Sequence, residues 1–297
     1  MVQVTTSAAV PAKRGPLASF SPEPLFVLGA ISQYLGAAIA INLFKDISAA
    51  SVAWLRVAAA AIIIIAISYK DRRPWTRTAL IGVGVFGVST ALMNLFFYLG
   101  IDRLGLGKSV AIEFIGPITV AALRTRSTRN FLALGLATVG VVVLAGFGVS
   151  GKVAGLLFIL AASAMWALYI VFGARVARDD RGLSGLGVGL AIGAVAIAPF
   201  GAPGSGPAWH VPHVLVLCAV VGLLSNAIPY GIDQNVMRRI STRRFAVLLA
   251  LLPVTAVFVG ALVLDQVPTW LDIVGVAFVL GGVIAQEREG VTPLPAD

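Results

Sequence analysis

Apolar runs long enough to cross a bilayer, about 20 residues each at 1.5 Å of helical rise, occupy most of this chain. Bounded by charges, Pro or Gly, they are read at 25–44, 48–69, 79–100, 105–123, 129–149, 153–175, 183–200, 212–235, 242–264 and 269–286. Hydrocarbon offers no partner to backbone N–H and C=O groups, so a lone run must satisfy them internally as a helix. The expected fold is all-α and polytopic, with ten transmembrane helices. Ten such spans consume roughly 200 residues of the 297, which leaves no room for a soluble domain. Composition agrees: 12% of residues are charged, against about 25% in soluble domains, and mean hydropathy is +0.96. A soluble enzyme is excluded.

Lys and Arg are retained by cytoplasmic loops. With the N-terminus inside, 17 of the 22 Lys and Arg residues fall on the inner side. Lys45, Arg103, Lys108 and Lys152 fall outside, and Arg56 stays within a span. Both termini are therefore expected in the cytoplasm, with 1–24 and 287–297 as tails. The net charge of +9 becomes a topology signal, with attraction to anionic lipid as a side effect, and nucleic acid is not an expected partner. Ala38-Ile39-Ala40 has signal-peptidase spacing. The run before it is too long for a signal peptide and contains Gln33 and Tyr34, so the first helix is expected to be retained. Cys218 is the only cysteine, so no intrachain disulfide forms.

The spans divide into two sets of five, 25–149 and 150–286. Phe26-Val27-Leu28-Gly29-Ala30 pairs with Phe158-Ile159-Leu160-Ala161-Ala162, and Tyr34 with Trp166. Pro117-Ile118-Thr119 pairs with Pro253-Val254-Thr255, and Gly135 and Ala137 with Gly275 and Ala277. An odd number of helices per set makes the second enter the membrane from the opposite side, an inverted repeat of the kind that supports alternating access around a midplane site. Gly185, Gly189 and Gly193, spaced by four, let helix backbones approach. Packing within the bundle is the expected use, with a homodimer contact as the alternative.

Arg56 and Glu113 each lie about eight residues from the outer end of their spans, hence at similar depth. A charge there costs at least about 2.5–3.5 kcal/mol, which calls for a partner or a water-filled cavity. Two readings stand: a structural salt bridge, or a site in which Arg56 receives a carboxylate and Glu113 an ammonium or a proton. Asn226, Tyr230 and Asp233 share one helix face at i, i+4 and i+7 beside Pro229, and Asn94 and Tyr98 are placed to line the outer half of the same cavity. Asp233 is near the cytoplasmic end, where Arg238 or Arg239 would answer it. Gln33, Tyr34, Trp166 and Tyr169 lie near mid-helix, where aromatic rings pack or stack on a substrate cation. Pro117, Pro229 and Pro253 withhold backbone hydrogen bonds and are candidate kinks or gates. The expected ligand is a small zwitterion.

Enzyme signatures fail. Gly107-Lys108-Ser109 looks like the end of a phosphate-binding loop, but Asp102 stands where glycine is required. His210 and His213 are the only histidines, so no metal or cofactor is expected, and no nucleophile and base can be paired.

Residues 106–117, Leu-Gly-Lys-Ser-Val-Ala-Ile-Glu-Phe-Ile-Gly-Pro, are similar to the LGxxVALEFxGP helix of the threonine and homoserine exporter (RhtA-like) family, in the EamA-repeat branch of the drug/metabolite transporter superfamily. Asn94, Phe97 and Tyr98 fit its MNxxFYL, Leu55-Arg56 its xLR, Trp166 to Ile170 its WAxYI, and Leu224 to Tyr230 its LSxxxPY. The resemblance spans about residues 25 to 286. It implies ten helices, an inner-membrane location and proton-coupled efflux of small amino acids or related metabolites. Export of drugs, purines or other metabolites is the alternative within the superfamily, and a non-transporting membrane interaction protein the alternative outside it. Two positions depart from the pattern. Leu252 precedes Pro253 where the family commonly carries Glu, and Lys108 replaces an apolar residue, so the acidic chemistry falls on Glu113.

Overall fold

A computed structural model describes residues 20–69, 74–125, 127–145, 152–178, 182–237 and 251–285. The elements are α1 (Pro22–Leu43), α2 (Ala49–Ser68), α3 (Arg77–Leu104), α4 (Leu106–Glu113), α5 (Ile115–Thr125), α6 (Thr128–Ala145), α7 (Lys152–Arg178), α8 (Gly182–Gly201), α9 (Gly206–His210), α10 (Pro212–Gly222), α11 (Ile228–Met237), α12 (Leu251–Val263) and α13 (Trp270–Ala285). A five-residue π turn, Leu223–Ala227, joins α10 to α11. Among the described residues there is no strand. Among the described residues six helices are long and apolar enough to cross a membrane: α1, α2, α3, α7, α8 and the continuous segment from Pro212 to Asp233. The run at 105–123 is broken into two helices, those at 129–149 and 269–286 are helical over their described parts, Thr128–Ala145 and Trp270–Ala285, and 242–250 lies outside the described residues.

Local chemistry sets the ends. Ser48 accepts from the Ser51 N–H and Thr76 from the Ala79 N–H, each at 3.2 Å, which satisfies donors that the first helical turn cannot pair. Gly105 ends α3 with φ +81°, a conformation open to glycine at no steric cost. The predicted single helix over 105–123 is divided at Phe114. Its cause lies three residues downstream, because Pro117 has no N–H to give the Glu113 carbonyl. Phe114 N–H turns back to the Ala111 carbonyl at 3.3 Å instead. Pro229 acts differently. The chain ahead of it widens into the π turn, with Ile228 N–H reaching back five residues to Leu223. Pro253 is the third residue of α12, and the chain before Leu251 is outside the described residues.

Packing is tightest where side chains are absent. A Cβ on Gly87 of α3 would overlap the backbone of Gly189 in α8, and one on Gly193 would overlap Gly87 and Ala91. The glycine row on α8 thus faces α3 within the bundle. The Trp54 indole of α2 donates to the Ala194 carbonyl at 3.1 Å and Ser51 to Gly201 at 2.7 Å, tying α2 to the same helix. α1 is tied to the π turn by Ser32 to the Leu224 carbonyl, 2.8 Å, and Ser225 to the Gln33 carbonyl, 2.9 Å.

At the other end of the chain, Lys108 of α4 and Asp272 of α13 form an ion pair of 2.7 Å, and the Leu106 N–H is capped by the Gln266 side-chain oxygen at 2.9 Å. Asp272 also accepts from the Thr269 N–H at 2.9 Å while Thr269 accepts from the Asp272 N–H at 3.3 Å, a reciprocal helix cap. Asp272→Ala removes cap and ion pair together and is expected to cost roughly 1–2 kcal/mol. Lys108→Met removes only a partly exposed pair and is expected to cost under about 1 kcal/mol. Thermal unfolding of the two variants in detergent checks this order.

Candidate functional site

Charged and polar side chains from α1, α2, α3, α4, the π turn and α11 converge on one cavity of about 30 Å³, lined by Gln33, Tyr34, Ala37, Arg56, Met93, Asn94, Phe97, Glu113, Ser225 and Tyr230. That is room for about one water molecule. The site is narrow at its center.

Gly222 lets α10 approach the Arg56 backbone: a Cβ there would meet the Arg56 carbonyl at 2.5 Å. The Arg56 guanidinium lies over the Tyr98 ring, 3.8 Å from its centroid, and donates to the Tyr98 hydroxyl at 2.5 Å. Phe44 packs edge-on against that ring, with centroids 5.8 Å apart. A cation over an aromatic face in a dry setting is stabilised by about 2 kcal/mol, which offsets only part of the cost of burying it. Nε of Arg56 is buried and has no hydrogen-bond partner. Glu113 ends α4 on the same cavity, also buried. The two are not joined: among the described residues the ion pairs are Arg103 with Asp102 and Lys108 with Asp272. An unfilled donor on a buried cation and an unbonded carboxylate across one small cavity are what a zwitterion's two ends would complete. The carboxyl end of a helix also favors positive charge near it, and Glu113 is that end of α4.

Behind the charges runs a polar relay. Asn94 donates through Nδ2 to the Thr90 carbonyl at 2.6 Å and to the Tyr230 hydroxyl at 3.1 Å, and its Oδ1 accepts from Asn226 Nδ2 at 3.2 Å. Asn226 is fully buried within the π turn, and its Oδ1 has no partner.

Of the residues singled out in the sequence, Gln33, Tyr34, Arg56, Asn94, Glu113 and Tyr230 line the cavity, while Tyr98 and Asn226 stand one layer behind it, bonded to Arg56 and Asn94. Trp166 does not reach the wall: it packs edge-on to Phe114, centroids 5.0 Å apart, next to the break that follows Glu113. Met93, Phe97, Ser225 and Ala37 also line the cavity. Ala37 is one turn from Gln33 and Phe97 three residues from Asn94, so helical spacing from the polar residues was the signal for these two. Arg238 and Arg239, expected partners of Asp233, are outside the described residues. Among the described residues no three His, Cys, Asp or Glu come together as a metal site.

The EamA-like transporter family model matches residues 153–285. The threonine/homoserine exporter RhtA of Escherichia coli (strain K12) is 33% identical over 254 residues, 84% of each chain. That of Salmonella typhimurium (strain LT2) is 32% identical over 262 residues, 86% of this chain and 88% of its own. A crystal structure of a protein 19% identical superposes with a TM-score of 0.60 over 89% of this chain and 96% of the other, which speaks for the fold alone. With its bilayer-length helices, the chain is a multi-pass membrane protein of a transporter family and not an enzyme. It belongs to the EamA-like transporter family and is an RhtA-like member of it.

Proposed function

We propose that this protein is a secondary active exporter of small amino acids, of the threonine and homoserine type, in the cytoplasmic membrane with both termini inside. The carrying observation is the small cavity bearing Arg56 and Glu113 unjoined to each other. Arg56 takes the substrate carboxylate and Glu113 exchanges a proton for the substrate ammonium. Ten spans form two inverted five-helix repeats, 25–149 and 150–286, and one repeat rocks against the other to expose the site to each side in turn. A cavity of about 30 Å³ cannot hold an amino acid, so the repeats must part before substrate enters. Substrate drives this only through different affinity for the two states.

The test is counterflow of labelled threonine and homoserine by the purified protein in proteoliposomes, with uphill accumulation measured under an imposed pH gradient. Saturable counterflow and gradient-driven accumulation are expected. A correctly folded protein that moves neither amino acid sinks the substrate assignment and turns the search to purines, drugs and other metabolites of the superfamily.

A further inference from the structure

We infer that Asn226 and Tyr230 together recognise a hydroxyl group on the transported molecule and so set selectivity for hydroxylated over hydroxyl-free amino acids. This rests on the amino-acid reading above and deepens it.

The polarity of the relay fixes what its ends offer. The Thr90 carbonyl can only accept, so the Asn94 atom 2.6 Å from it is nitrogen, and Asn94 must turn its oxygen toward Asn226. Asn226 therefore gives its nitrogen to Asn94, at 3.2 Å. The atom it has left over is an oxygen, fully buried and without a partner. An amide flip at Asn226 would set two oxygens against each other, so the assignment is forced by the backbone carbonyl at the far end. Tyr230 receives the other Asn94 N–H on its oxygen, at 3.1 Å. Its own O–H hydrogen finds no acceptor among the described residues, and its side chain lines the cavity.

One acceptor and one donor are thus held at the two ends of a single Asn94 side chain. A hydroxyl is both donor and acceptor and completes the pair, giving its hydrogen to Asn226 Oδ1 and receiving that of Tyr230. An ammonium cannot receive, and a methyl can do neither. A site built around a hydroxyl rejects the analogue lacking it because its own polar groups stay unpaired. Asn226 stands behind Asn94, so its oxygen is met as the cavity expands to admit substrate.

Threonine and valine differ by hydroxyl for methyl at nearly equal volume. The experiment is competition of unlabelled threonine or valine against labelled threonine in counterflow, for the native protein, Asn226→Leu and Tyr230→Phe. Native preference for threonine over valine is expected to be about tenfold or more, falling toward parity in each variant. Tyr230→Phe removes one oxygen and serves if Asn226→Leu does not fold. Native parity between the two amino acids, or variants that keep the native ratio, overturns the pairing while leaving amino-acid export standing. No native flux of either amino acid sinks both.

Discussion

Glu113→Gln stops coupled transport. Accumulation of amino acid against its gradient is expected to vanish under an imposed pH gradient, because the amide keeps the size of the carboxyl but cannot take up and release a proton. Counterflow moves no net proton and so reports the second role, as partner to the ammonium. Removing one member of a buried, hydrogen-bonded charge pair costs about 2–5 kcal/mol. At 1.4 kcal/mol per decade, counterflow falls by roughly thirty- to four-thousandfold. Native counterflow with lost accumulation would restrict Glu113 to the proton. Native values of both would remove it from the mechanism. Among the described residues Glu113 is the acidic side chain that lines the cavity, so no second carboxylate stands on its wall to take over.

Arg56 produces the other large effect, and its test separates a binding site from a structural pair. Arg56→Gln leaves Glu113 as an uncompensated buried charge, and Glu113→Gln does the same to Arg56, so each single variant is expected to lose folded yield. The double variant carries neither charge and is expected to fold better than either, since leaving one buried charge without its counter-charge across the cavity is the costly step. Its transport stays lost by about a hundredfold or more, within the range given above for one missing partner. Recovered transport in the double variant would make the pair structural. Arg56→Lys keeps the charge but forfeits the planar fork stacked on Tyr98, and Arg and Lys are not interchangeable at a stacked site. Flux well below native is expected there too, read in the same counterflow measurement.

The bundle was legible because membrane helices announce themselves by length and apolarity alone, and the charged pair because Arg and Glu are conspicuous within such runs. The common depth of Arg56 and Glu113 followed from counting residues along their spans. That they face one cavity without touching did not follow, since rotation of α2 against α4 is decided by contacts such as Gly222 on the Arg56 backbone. Pro117 was visible as a kink, yet the break it makes falls at Phe114, because a proline disturbs the carbonyl four residues before it. Trp166 matched Tyr34 in the repeat pattern, but only Tyr34 lines the cavity, while Trp166 packs on Phe114. Pattern symmetry does not fix which side chain reaches the center. Helical spacing placed Asn94, Asn226 and Tyr230 on one cavity, but that they bond to one another, and in which direction, came only with the structure.

The π turn at Leu223–Ala227 carries a consequence for lineage comparison. It holds one residue more than the α turn it replaces, and an α-helix advances about 100° per residue. A descendant losing one residue there would keep its hydropathy and its Pro-Tyr pair, yet would swing Tyr230 about a quarter turn away from Asn94. In an alignment this would be a single gap inside an otherwise matching helix, easily dismissed as noise, and it would mark the point at which the buried bond between Asn94 and Tyr230 was lost.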